Sequence, residues 1–233
     1  MRSTVKRRSV RRILSVLVLL FLCCVVFFSW YVSDYYRADE TAQALLMDEH
    51  IETHEDYTLL SPDQPTDTAL IFYPGAKVEE SAYLPLLEQL RQEGLACILV
   101  PMPFHMAIFD SDAALDVMEQ FPDISHWYIG GHSMGGAMAS QFASQHPDLV
   151  EGLILLGAYP YGEYAAEYTL TVYGSLNTSV AEKIDYTENV VVIEGGNHAQ
   201  FGNYGPQKGD APAEITDAEQ QAVTVSAIVE FIA

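Results

Sequence analysis

Cysteine is scarce in this 233-residue chain and poorly placed for crosslinking: Cys23 and Cys24 fall inside an apolar run, and Cys97 stands alone in a stretch that reads as a buried strand. With no pair available after residue 33, a disulfide framework is excluded, and Cys97 reads as core rather than nucleophile because no glycine turn surrounds it. Cations are scarce in the same region, where five Lys and Arg stand against all 32 Asp and Glu, a balance of −27. Such a domain repels nucleic acid and anionic lipid surfaces, so no nucleic-acid partner is expected, and the charge reads as solubility. A P-loop, a dinucleotide-binding glycine turn and a His/Asp/Glu cluster at ligand spacing are also missing, so no metal and no cofactor is implied. Nor is there a repeat or linker that would divide the remainder, about 180 residues, into more than one domain.

One long apolar run is present. Arg2, Lys6, Arg7, Arg8, Arg11 and Arg12 precede an uncharged stretch from Ile13 to Val32, long enough to span a bilayer as a helix. A cleavable signal has a shorter apolar core and small residues at the cut site, whereas this run ends in Phe27, Phe28, Ser29, Trp30 and Tyr31, aromatics suited to an interfacial belt. An uncleaved anchor is the expectation, with a basic tail over 1–12 in the cytoplasm, a span over 13–32 and everything after residue 33 outside the cell membrane. Residues 33–56 read as an acidic juxtamembrane stalk, and 57–233 as the functional domain.

From Tyr57 onward, apolar strand-like runs alternate with amphipathic stretches. Ala69–Tyr73, Ala96–Val100, Trp127–Gly130, Gly152–Leu156, Thr169–Tyr173 and Val190–Ile193 read as strands, and Ser81–Glu93, Asp110–Gln120, Ser133–His146 and Thr216–Ile232 as helices. This alternation predicts an α/β fold: a mostly parallel sheet with helices on both faces. Ligands in such sheets bind beyond the carboxyl ends of the strands, and the unusual residues gather there. Pro74-Gly75-Ala76, Pro101-Met102-Pro103, Gly131-His132-Ser133 and Gly195-Gly196-Asn197-His198 each follow a predicted strand.

Gly131-His132-Ser133-Met134-Gly135 is a G-x-S-x-G pattern in a strand-turn-helix setting, the sequence form of a nucleophile elbow. Glycines let the chain reverse sharply so that the hydroxyl projects, which makes Ser133 the candidate nucleophile. A serine needs a base to take its proton, and His198 follows the last predicted strand in the order expected for that role. Backbone N–H groups of Met134 and Ala76 occupy the places of oxyanion donors. Gly75, His132 and His105 lie close enough in sequence to these loops to be candidate pocket residues, although His132 should point away from the nucleophile. Lys77 reads as a rim charge or a solvated lysine. Tyr159, Tyr161, Tyr164 and Tyr168 read as an aromatic wall or as packing on the sheet edge, in a connection too short for a cap domain.

Together, the stretches Tyr73-Pro74-Gly75-Ala76-Lys77-Val78-Glu79, Pro101-Met102-Pro103-Phe104, Gly130 to Gly136 and Glu194-Gly195-Gly196-Asn197-His198-Ala199-Gln200-Phe201-Gly202 resemble the α/β-hydrolase superfamily, in particular its small, capless, dienelactone-hydrolase-like branch. The resemblance runs from about Thr68 to the C-terminus and implies a serine hydrolase. Dienelactone hydrolase itself carries cysteine in the elbow, so the likeness favours ester hydrolysis over that particular reaction. Relatives place an Asp after the strand equivalent to Thr169–Tyr173, where this chain has Asn177. Asparagine orients an imidazole but does not stabilise the imidazolium formed when the serine loses its proton. Three outcomes follow: Asn177 acts as a neutral orienter, Asp185 or Glu194 supplies the carboxylate, or the site has decayed. The expected function is thus a membrane-anchored extracytoplasmic serine hydrolase acting on a small or surface-presented ester. The alternative is a weakened or inactive member serving as a surface ligand- or partner-binding module.

Overall fold

The computed structural model describes residues 2–233, with side chains described from residue 13 onward. Two compact units are present, the first ending at Tyr35 and the second running from Tyr36 to Ala233. The first is one helix, α1 (Arg2–Ser33). Its Ile13–Ser33 portion has a mean hydropathy of 2.8 and is long and apolar enough to cross a membrane, a property that anchors and signal sequences share.

The second unit begins 21 residues earlier than the sequence pattern suggests. The segment expected as a stalk is packed into the domain from Tyr36 onward. Tyr36 donates its N–H to Lys77 O at 2.7 Å and accepts from Glu79 N–H at 2.8 Å, while Ala38 and Ala42 are buried. Alanines carry little periodic signal, which is why this packing escapes a hydropathy reading. Helix α2 (Glu40–Leu45) follows, capped by Asp39, whose side chain accepts from Ala42 N–H. Strands β1 (Ile51–Thr53) and β2 (Thr58–Leu60) then pair antiparallel.

The remaining elements are β3 (Thr68–Tyr73), α3 (Leu84–Gln92), β4 (Ala96–Leu99), α4 (Ala113–Gln120), β5 (His126–His132), α5 (Met134–Gln145), β6 (Gly152–Leu156), β7 (Thr169–Gly174), α6 (Thr178–Ala181), β8 (Val190–Ile193) and α7 (Asp217–Ile232), in the strand and helix order that the residue pattern predicts except for the short α6, which the pattern does not announce. The eight strands form one sheet in the order β1-β2-β4-β3-β5-β6-β7-β8. β3 through β8 are parallel to one another, and only the short β1 and β2 run against their neighbours.

Side-chain alternation along the strands divides the core in two. Leu70 and Phe72 of β3, Cys97 and Leu99 of β4, and Ile154 and Leu156 of β6 face the layer containing α3 and α7. Their neighbours Ala69, Ile71 and Tyr73, Ile98, Leu153 and Leu155 face the layer containing α4 and α5. Helices therefore cover both faces. After β3 the chain forms β4 on one side and β5 on the other, so the carboxyl ends of β3 and β5 flank a topological switch point where a crevice opens.

Candidate active site

Ser133 sits at φ +53° and ψ −119°, between the end of β5 and the start of α5. A non-glycine residue held in this region carries about 1–3 kcal/mol of backbone strain, which the surroundings must fix in place. They do so in two ways. Ser133 donates its N–H to Leu156 O at 3.0 Å, tying the turn to β6. Gly135 also lets the turn press against β3, because a Cβ there would collide with the carbonyl oxygens of Tyr73 and Pro74. The glycines of the motif thus seat the elbow under the end of β3, beside the loop that starts at Pro74.

That loop holds Ala76, one of the two residues expected from sequence as backbone donors. Gly75 N–H is already bonded to Tyr83 Oη at 3.0 Å and Lys77 N–H to His105 O at 2.7 Å. Ala76 N–H and Met134 N–H, by contrast, have no acceptor among the described residues. Met134 lines the cleft described below, and Ala76 lies on the loop after β3.

His198 follows β8 and packs over Gly157, where φ is +54° and a Cβ would stand 3.1 Å from His198 Nδ1. Asn177, at the end of the loop after β7, lies with Nδ2 at 2.9 Å from the same Nδ1, and Ser179 Oγ lies 2.7 Å from Asn177 Oδ1. Asn177 therefore occupies the acid slot that the sequence assigns to it. Neither Asp185 nor Glu194 forms a hydrogen bond or ion pair with His198. The pair supports two proton arrangements. An amide N–H donated to Nδ1 leaves the proton on Nε2, whereas the amide turned by 180° accepts from Nδ1–H and leaves Nε2 free as a base, with the Ser179 hydroxyl accepting instead of donating. Burial holds the imidazole below its ordinary pKa of 6.5, and the charge of Asp210 opposes that shift.

Ser133 and His198 line one cleft of about 600 Å³, together with Ile108, Ser111, Met134, Gln141, Tyr159 and Tyr161 among others. Apart from His198, no titratable acid or base other than tyrosine lines it. The cleft is electrically neutral inside a strongly acidic domain.

The three other expected pocket residues lie elsewhere. His132 is fully buried beneath the cleft; its Nδ1 is 2.8 Å from Tyr83 Oη and its Nε2 2.9 Å from His198 O. Burial and the neighbouring His198 keep it neutral, its pKa well below 6.5. The compatible proton order runs Gly75 N–H to Tyr83 oxygen, Tyr83 O–H to His132 Nδ1, and His132 Nε2–H to the His198 carbonyl. Gly75 belongs to that chain rather than to the cleft wall. His105 stands 3.7 Å from Glu80, whose carboxyl is held below its usual range by that neighbour. The tyrosines divide: Tyr159 and Tyr161 line the cleft, while Tyr164 packs against the α5 face and donates to Val150 O at 3.0 Å. Ile108 and Ser111, from the loop before α4, line the cleft without a motif to announce them.

Asp210 is also unannounced by the sequence. Its Oδ1 accepts from His198 N–H at 3.2 Å and from Ala211 N–H at 2.9 Å, and its Oδ2 accepts from Ala199 N–H at 2.8 Å. Among the described residues, no three His, Cys, Asp or Glu side chains converge as ligands of a metal ion.

A strained serine at a strand-to-helix elbow and an imidazole after the last strand, sharing one cleft, are arranged as in an α/β hydrolase. The sequence profile of the Alpha/beta hydrolase family matches residues 69–222, and the chain belongs to that family. A curated relative, a Mycobacterium phage D29 protein named "Putative non-heme haloperoxidase", is 26% identical over 140 residues, covering 56% of this chain and 50% of that protein. The chain thus matches about half the length of that relative. Among solved structures, Est1E from Butyrivibrio proteoclasticus aligns with TM-score 0.54 at 16% identity, over 78% of this chain and 97% of that one. MenH from S. aureus aligns with TM-score 0.56 at 11% identity, over 76% and 99%. Dienelactone hydrolase from Anabaena variabilis aligns with TM-score 0.50 at 18% identity, over 75% and 89%. At these identities the likeness is one of fold.

Proposed function

We propose that the protein is a serine hydrolase of neutral carboxylic esters, held at the outer face of the cell membrane by its N-terminal helix. The observation that carries this reading is the strained Ser133 sharing a cleft with His198, whose Nδ1 is engaged by Asn177. In the working proton arrangement, Asn177 Oδ1 accepts from His198 Nδ1–H, and Nε2 takes the Ser133 proton as Oγ bonds to the ester carbonyl carbon. The carbonyl oxygen becomes an oxyanion between the N–H groups of Ala76 and Met134. On collapse, the alkoxide leaves with the proton from Nε2, and an acyl group remains on Ser133. Water repeats the sequence in reverse roles and releases the acid.

The absence of lysine, arginine or carboxylate from the cleft lining favours an uncharged substrate, since a charged one would be desolvated there without a partner. The six basic residues before Ile13 support an N-terminus in the cytoplasm, and the acidic domain suits the outside.

The test is turnover of p-nitrophenyl butyrate by the full chain in detergent, with acid quench and mass analysis of the peptide containing Ser133. A butyryl group on that peptide, and turnover lost in Ser133→Ala, is the expected result; full activity in that variant would overturn the mechanism. Asn177 in the acid slot favours a second reading, a surface binding module without turnover. That reading gains if the folded protein is inert and Asn177→Asp does not awaken it.

A further inference from the structure

An imidazolium that forms beside a neutral amide needs its charge balanced from elsewhere. Around His198, the titratable and charged groups are few: His132 from β5, its ring centroid 4.6 Å away and neutral, and Asp210 from the loop after Phe201. Gly157 and Asn177, which stand at the ring, carry no ionisable group. Tyr204 neighbours Asp210 and is held protonated, its pKa pushed well above 10 by burial.

Resting on the serine-hydrolase reading above, we propose that Asp210 is a positioning residue that supplies, from the main-chain side of His198, the negative charge that Asn177 withholds from the ring side. Its carboxylate is bonded to the N–H of His198 itself and to that of Ala199. It is thus fixed against the backbone of the base rather than free to swing in solvent. The same bonds cap the short 3-10 turn Ala199–Phe201 that follows His198. One residue accordingly sets both where the imidazole stands and how readily it carries charge. An opposite charge at this range favours the protonated ring, while the half-buried setting limits solvent screening.

Asp210→Asn keeps an acceptor for one of the amides and removes the charge. The full chain in detergent is expected to lose about 10-fold in kcat with little change in KM, and the acidic limb of its pH profile is expected to move down by about one unit, the two being the same shift in imidazolium stability. Asp210→Glu, which keeps the charge, should hold the limb in place. Asn177→Asp should recover a larger factor of rate in the Asp210→Asn background than in the native chain, because the two carboxylates serve one imidazolium. An unmoved limb, together with equal gains from Asn177→Asp in both backgrounds, would reduce Asp210 to a loop cap and overturn the proposal.

Should Asp210→Asn fail to fold, Asp210→Ser removes the same charge with a smaller side chain and is read in the same way. The imidazole titration of His198, followed by NMR in Ser133→Ala protein with and without Asp210→Asn, separates this proposal from the hydrolase reading. A shift to lower pH upholds the proposal even where no ester is cleaved, and no shift refutes it even where Ser133 is shown to be the nucleophile.

Discussion

The two halves of the candidate site are built by different means. On the Ser133 side, the geometry around the hydroxyl is set by backbone: the left-handed turn at Ser133, the N–H tie to Leu156, and the amides of Ala76 and Met134. On the base side, everything is side chain: Asn177 on Nδ1, Ser179 behind Asn177, Asp210 on the amides of His198 and Ala199, and His132 beneath the carbonyl. Backbone geometry is fixed by the fold and tolerates little sequence drift. A side-chain relay keeps its geometry while its chemistry changes, as happens where an asparagine stands in place of a carboxylate. On the proposed reading, the nucleophile half keeps its parts, and the base half keeps its shape with its charge reduced.

Removing the nucleophile breaks this contrast at its strong end. Ser133→Ala should lower ester turnover by roughly 10³–10⁶-fold, with the thermal midpoint nearly unchanged because alanine keeps the same strained backbone and only the hydroxyl is lost. The weak end is sharpened by Asn177→Asp, which should raise kcat on the order of 10²-fold, less than the roughly 10⁴ separating Asp from Asn in a serine protease, because Asp210 already contributes charge. Steady-state kinetics on one ester series would read both changes.

The link between the halves is the Gly75–Tyr83–His132–His198 chain. Tyr83→Phe leaves the Gly75 N–H and His132 Nδ1 buried without their partner, and it should cost about 1–3 kcal/mol in stability by denaturant titration. It should also lower kcat about 10-fold with KM nearly unchanged, since the oxyanion loop and the base lose their common tie. The smallest effect is on pH. His198 acts as a base only when neutral, and burial lowers its pKa, so the acidic limb of kcat/KM should fall below pH 6.5. The same depressed values in His132 and His198 mean that folding stability is lost as pH drops below about 6.5, where the unfolded chain binds protons that the folded one refuses. Thermal melts between pH 7 and 5 should show it.

Sequence legibility follows the same division. Parallel strands buried on both faces write themselves as runs such as Ala69–Tyr73 and Gly152–Leu156, and the elbow is written in glycines, so the six parallel strands, the helices α3, α4, α5 and α7, and Ser133 are readable. Asn177 and His198 are readable from their places after β7 and β8. The pair β1 and β2 is not, because three-residue strands in a polar setting owe their conformation to pairing with one another and, through β2, with β4. Tyr36–Ala42 hides its packing in alanines and main-chain hydrogen bonds. His132 is a pocket candidate only by adjacency to Ser133; it points away from the nucleophile, as its place in the elbow suggests, and lies buried beneath the cleft instead of in its wall. Asp210 lies 12 residues after His198 and binds backbone, a contact that leaves no pattern in side-chain chemistry.

The claim that an activated serine survives beside a charge-depleted base is tested most directly by fluorophosphonate labelling of the folded protein. Labelling of the native chain, its loss in Ser133→Ala and its acceleration in Asn177→Asp are the results this account predicts. Folded native protein that takes no label, and gains none with Asn177→Asp, would contradict it.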